Sequence, residues 1–156
     1  MKKIFFDLDG TLADFEGSGG VDKMRQEGFF RNLKPYPRGL EIVKALYDAG
    51  YDIHILSTCI MTSYCKPEKK AWVNQYLPFI KDSNIILISG EETKAYEAGL
   101  IYGKLNKDFI LFDDYKVNLL EWIRAGGTAI KCGGTYKRRP YPQVIKWSKR
   151  LGGLQQ

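Results

Sequence analysis

The chain has 156 residues, 44% hydrophobic and 13% aromatic, which is enough for one substantial core within the usual size of a single domain. No window of about 18 uninterrupted apolar residues occurs, and Met1-Lys2-Lys3 runs directly into Ile4-Phe5-Phe6, so neither a membrane span nor an export leader is expected and a cytoplasmic protein is. The net charge of +6 is concentrated at one end: after Glu121 there are eight basic side chains and no acidic one, while the preceding part is slightly acidic.

The first apolar run covers residues 3–8 and ends in Asp7-Leu8-Asp9-Gly10-Thr11. Its β-branched and aromatic content with little polar alternation suits a strand covered on both faces. A Gly-punctuated stretch with Phe15, Phe29 and Phe30 follows, then a helical pattern over 39–47 that stops at Gly50. A second strand is predicted over 52–57, ending in Ser57-Thr58, and a helix over 67–76. A third strand spans 84–88, a fourth 109–112 ending in Asp113-Asp114, a helix 116–125, a fifth strand 128–132 and a last helix 142–150. Strand and helix alternate, which predicts an α/β fold: a parallel sheet with right-handed crossovers and helices on both faces. In such sheets ligands sit at the carboxyl ends of the strands, so the residues there are the candidates for chemistry.

Three of the strand ends carry suggestive groups. Asp7 and Asp9 offer two carboxylates one residue apart before a glycine turn, and phosphoryl transfer through a covalent intermediate needs a carboxylate nucleophile, a metal and a proton donor. Ser57 and Thr58 supply a hydroxyl and backbone N–H groups able to hold a phosphate oxygen. Asp113 and Asp114 are paired acids beside a buried strand, which is costly unless a cation or hydrogen bonds compensate them. Oxygen ligands from Asp7, Asp113 and water suit Mg²⁺. Taken singly, an Asp-x-Asp-Gly turn and an Asp-Asp helix cap are ordinary features. In this order and at successive strand ends, they point to an enzyme.

The motif Asp7-Leu8-Asp9-Gly10-Thr11 resembles the signature of the haloacid-dehalogenase-like phosphatase superfamily. That resemblance implies a three-layer, Rossmann-like fold, Asp7 as nucleophile, Asp9 as general acid/base and a metal ligand through its carbonyl, and Ser57 as the phosphate-holding hydroxyl. It also implies Asp113 as a further metal ligand with Asp114 in support. A closer likeness is to the 5'(3')-deoxyribonucleotidases, carried by residues 7–17 (DLDGTLADFEG), 29–37 (FFRNLKPYP), 64–72 (YCKPEKKAW) and 110–118 (ILFDDYKVN). It implies Phe15 as an aromatic beside the base or sugar and Lys69 as a lysine near the phosphate. The superfamily's phosphate-neutralising lysine lies shortly before the Asp-Asp pair, where Lys104 and Lys107 compete; Lys104 is favoured because Lys107 stands too close to the fourth strand. The insert, at about 16–36, is shorter than in the animal deoxyribonucleotidases, and Tyr115 stands where the family often has arginine.

Read from the residues alone, Phe29 and Phe30 either cover the site or form the insert's own small core, and Lys69 is either a phosphate contact or a solvated lysine. The expectation is a single domain over 1–156 with a small cap insert, acting with Mg²⁺ on nucleoside monophosphates, as a monomer or homodimer without membrane attachment. Alternatives are a sugar phosphate or other small phosphomonoester as substrate, a nucleic-acid-binding or end-processing protein gripping a backbone with Lys137-Arg138-Arg139 and the basic side chains of 146–150, and a catalytically silent relative. His54, the only histidine, is read as structural; Cys59, Cys65 and Cys132 form no CxxC or metal-site spacing and are read as buried or bystander thiols.

Overall fold

The computed structural model describes residues 1–132. The predicted helix over 142–150 and the basic tail lie outside the described residues. The elements in chain order are β1 (Lys3–Phe6), α1 (Gly20–Lys23), α2 (Pro37–Asp48), β2 (Asp52–Cys59), α3 (Cys65–Tyr76), a 3₁₀ turn (Asp82–Asn84), β3 (Ile85–Ser89), α4 (Lys94–Tyr102), β4 (Phe109–Asp113), α5 (Lys116–Arg124) and β5 (Thr128–Lys131). The five strands form one sheet in the order β3-β2-β1-β4-β5, every pairing parallel. This is the α/β architecture expected from the alternation of strand and helix. α4 is an addition to the expected elements: no helix was predicted between the third and fourth strands.

Strand alternation sorts the core into two layers. Ile4 and Phe6 of β1 join Ile53, Ile55, Ile110 and Phe112 on one face, where they pack with Ile42, Val43 and Leu46 of α2 and Trp72 and Val73 of α3. Phe5, Leu56 and Leu111 point the other way and meet Ala95 and Ala98 of α4 and Leu119 and Trp122 of α5. Both layers therefore clamp the central strand. Residues buried on both sides explain why the strands read as continuous apolar runs.

The segment between β1 and α2 folds back over the first of these layers. Phe29, Phe30 and Leu33 belong to its buried cluster, with Phe15 and Met24 packed against it. Trp72 Nε1 donates to the Leu33 carbonyl at 2.8 Å, tying the insert to α3. Cys59, Cys65 and Cys132 are free and buried, as expected. No helix among the described residues is long and apolar enough to cross a membrane.

Candidate active site

The sheet order brings the acids together. β1 is flanked by β2 and β4, with Phe6 level with Ile55 on one side and Phe112 on the other. The residues one or two positions further on, Asp7, Ser57 and Asp113, therefore emerge at one edge. The Asp7 amide extends the ladder by donating to the Phe112 carbonyl at 3.0 Å, which fixes the start of the loop. Gly10 has φ +79°, and a Cβ there would lie 2.1 Å from Asp114 Oδ2, so the turn that separates Asp7 from the rest of the loop requires glycine.

Lys94 lies at the centre of the carboxylate cluster. Its Nζ donates to Asp7 Oδ1 at 2.8 Å and to Asp113 Oδ2 at 2.6 Å, and its side chain is 2% exposed. Burial pulls the lysine pKa down, but the carboxylates of Asp7 and Asp113 outweigh it and hold the group above its usual value. The expectation that Lys104 fills this position is overturned: Lys104 is exposed and follows the carboxyl end of α4, whereas Lys94 opens that helix, about 13 Å away along its axis. Lys107 is exposed as well. Asp113 is completely buried, accepts from the Tyr115 amide at 2.8 Å and from Asn118 Nδ2 at 3.0 Å, and has its pKa raised by burial and by Asp7. Burial, then Asp7 and Asp113, push Asp114 up to about 8.

Asp7, Asp113 and Asp114 each bring a carboxylate oxygen within 4.8 Å of the others. Three hard oxygen donors crowded together, with Asp113 and Asp114 held above their usual carboxylate range, are a set that a divalent cation such as Mg²⁺ would relieve. The side chain of Asp9, a residue expected to help hold the metal through its backbone carbonyl, faces a second lysine. Lys69 Nζ donates to Asp9 Oδ2 at 2.7 Å, to Ser57 Oγ at 2.9 Å and to the Thr58 carbonyl at 2.7 Å, which uses all three of its N–H groups. Burial raises the Asp9 pKa, with Lys69 opposing and Asp7 reinforcing the rise. Asp9 Oδ1 is buried with no hydrogen-bond partner among the described residues.

Lys69 is thus buried in the site rather than solvated. Thr58 is exposed and meets the lysine through its carbonyl; Ser57, at 1% exposure, does so through its hydroxyl. Phe30 lies beside the same ammonium group, 4.9 Å from the ring centroid, and stacks edge-to-face with Phe29, which meets Phe15 the same way. Phe29 and Phe30 accordingly join the main core on this face of the sheet rather than a separate core of the insert, and Phe30 also borders Lys69. Phe15 is half-buried within this aromatic row. Sequence reasoning missed Lys94, Asn118 and Thr11, whose hydroxyl sits 3.5 Å from Asp7 Oδ2. Thr93, which caps α4 by accepting from the Tyr96 amide at 3.0 Å, was the available signal for Lys94.

The same fold recurs in solved structures. L-2-haloacid dehalogenase from Xanthobacter autotrophicus matches with a TM-score of 0.60 and 12% identity, covering 100% of this chain and 85% of that one. D,D-heptose 1,7-bisphosphate phosphatase from B. bronchiseptica, solved with magnesium and phosphate, matches with a TM-score of 0.58 and 14% identity over 83% of this chain and 79% of that one. The fold is that of the haloacid-dehalogenase-like class. Within it, the chain belongs to the family described as 5' nucleotidase, deoxy (pyrimidine), cytosolic type C protein, whose profile matches residues 21–124. Proteins provisionally named 5'(3')-deoxyribonucleotidase are similar: one from Staphylococcus epidermidis is 32% identical over 66 residues, 42% of this chain and 36% of that protein. One from Staphylococcus aureus strain Mu50 is 30% identical over 86 residues, 55% of this chain and 43% of that protein. The matches span less than half the length of these relatives.

Proposed function

We propose that the protein is a Mg²⁺-dependent phosphomonoesterase that hydrolyses (deoxy)nucleoside monophosphates through an aspartyl-phosphate on Asp7. The observation that carries this reading is the separation of the two acids of the first motif, Asp7 held by Lys94 and Asp9 by Lys69. A shared site with two carboxylates in different environments divides the roles of nucleophile and proton donor. With Oδ1 engaged by Lys94 at 2.8 Å, Oδ2 of Asp7, which the Thr11 hydroxyl meets only at a long 3.5 Å, is the oxygen that attacks phosphorus. The phosphorus–ester oxygen bond breaks as the Asp7–phosphorus bond forms, and Asp9, whose raised pKa favours the protonated form, gives its proton to the departing alcohol. Asp9 then takes a proton from the water that cleaves the aspartyl-phosphate, releasing phosphate and restoring both acids. Lys94 has a third N–H for a phosphate oxygen, and the Ser57 hydroxyl and nearby amides supply further donors.

Asp7, Asp113 and Asp114, with the Asp9 carbonyl, would hold Mg²⁺, which when bound offsets the charge of the phosphate. The magnesium and phosphate in the heptose bisphosphate phosphatase support this reading by fold likeness. Family membership supports a nucleotide as substrate, and Phe15, half-buried at the outer end of the Phe15–Phe29–Phe30 row, offers a ring for a base or sugar to pack on. The insert is the cap of what we read as one domain.

The test is phosphate release from a panel of deoxyribo- and ribonucleoside monophosphates and sugar phosphates, with Mg²⁺ and with EDTA. Release from nucleotides that EDTA abolishes is expected; activity confined to sugar phosphates discards the substrate and keeps the chemistry. Asp7→Asn should abolish turnover, and substantial residual activity would exclude the covalent step. Asp9→Asn should slow turnover by about 10²–10⁴-fold while leaving the fold intact.

A further inference from the structure

Glu68 is a buried carboxylate, 4% exposed, that makes no ion pair among the described residues. Burial of such a group is costly unless it is hydrogen-bonded. Its partners are backbone amides of the insert: Oε1 accepts from Gly28 N and Oε2 from Phe30 N, the latter at 3.2 Å. Gly28 has φ +92°, so the turn that aims both amides at one carboxylate uses a conformation suited to glycine. The next residue along α3 is Lys69, which binds Asp9, Ser57 and Thr58. Phe30, whose amide Glu68 holds, places its ring beside the Lys69 ammonium group. Two adjacent side chains of one helix turn therefore grip the insert and the reacting groups respectively.

Packing alone does not hold this part of the insert. The seam between it and the start of α3 opens into a cavity of about 450 Å³ lined by Glu27, Gly28, Arg31, Tyr64, Pro67 and Glu68 among others. Among the described residues, the other hydrogen bonds across that gap are Tyr64 Oη to the Met24 carbonyl at 3.3 Å and, further along, Trp72 to Leu33. Glu68 supplies the two bonds nearest the aromatic row.

We propose that Glu68 is a positioning residue: by holding the Gly28 and Phe30 amides it fixes the aromatic insert over the site, and nucleoside binding depends on it. This rests on the nucleotidase reading above. The prediction for Glu68→Ala is that KM for a deoxynucleoside 5'-monophosphate rises about tenfold while kcat stays within about threefold, because Lys69 keeps its own three bonds and only binding shared by ground and transition states is lost. Hydrogen exchange of a peptide spanning 27–33 should quicken by about tenfold in the same variant, while that of β1 and β4 does not change. Glu68→Gln, which keeps one acceptor oxygen, should fall between wild type and Glu68→Ala in both readouts and serves if the alanine variant fails to fold. A fall in kcat at constant KM, or unchanged exchange over 27–33, would overturn the proposal. If the wild type cleaves no nucleotide, the functional reading fails by itself, and unchanged or quickened exchange still decides whether Glu68 holds the insert.

Discussion

Lys94 sets one ammonium group against two buried carboxylates, and the consequence of removing it differs from that of removing a surface lysine. Without Lys94, Asp7 and Asp113 are left buried and close with no cation between them. Breaking such a group from one side typically costs about 3–5 kcal/mol, far more than the same change in solvent. Lys94→Met should therefore lower the unfolding free energy by that order and remove most of the phosphatase activity. Lys104→Met is the control, since an exposed lysine away from special features should move stability by no more than about 0.5 kcal/mol and leave turnover alone. Equal effects of the two substitutions in chemical denaturation and phosphate release would reject the assignment of Lys94.

At the level of elements, what the sequence makes legible depends on which side chains are buried. β1, β2 and β4 read clearly because they are buried on both faces, and their ends locate Asp7, Ser57 and Asp113. α4 does not read, because its buried face is Lys94, Ala95 and Ala98 while Tyr96, Leu100 and Ile101 are exposed. A periodicity search expects the large apolar residues inside and finds the reverse. Losing α4 means losing Lys94, and the nearest remaining lysines then attract the assignment. Lys69 read ambiguously for a different reason: a lysine on a first helical turn is normally solvated, and only the tertiary meeting of α3 with Asp9 buries it. The cap of α4 is the element's own positioning device. Thr93→Ala should cost about 1 kcal/mol by orphaning the Tyr96 amide, and it should also lower kcat because Lys94 is the first helical residue. Thr93→Ser restores the acceptor and should recover both the thermal midpoint and the rate; recovery of neither would separate the cap from the site.

Across the whole molecule, the sheet has two polar ends with different work to do. The carboxyl end of the central strands gathers the carboxylates and lysines of the site. The amino end carries a second group that the proposed chemistry does not use, formed by Lys3 of β1, Asp52 and His54 of β2 and Tyr102 of α4. Lys3 Nζ lies 2.5 Å from Asp52 Oδ2 and over the Tyr102 ring, and Tyr102 Oη is 2.9 Å from His54 Nδ1. His54 Nε2 is 2.9 Å from Asp52 Oδ1, and the ring stacks on Phe5 at 4.9 Å. This is the structural role expected of the only histidine. Burial holds the His54 pKa below 6.5, with Asp52 opposing and Lys3 adding to the fall. The sign of the pH effect follows. The unfolded chain takes up a proton on this histidine before the folded one does, so His54 contributes its full stability above 6.5 and loses it as pH falls through and below that value. Asp52, held below its ordinary value because Lys3 and His54 outweigh burial, acts in the same sense only at lower pH, beneath 3.8. The carboxyls at the other end, raised in the folded protein, change stability in the opposite direction, so the histidine must be isolated by difference. Melting wild type and His54→Phe in parallel from pH 8 down to about pH 5, at one fixed Mg²⁺ concentration, cancels the site's contribution. The gap between the two midpoints should shift against the wild type as pH drops below 6.5. A gap that stays constant over that range would mean that His54 titrates alike in the folded and unfolded chain.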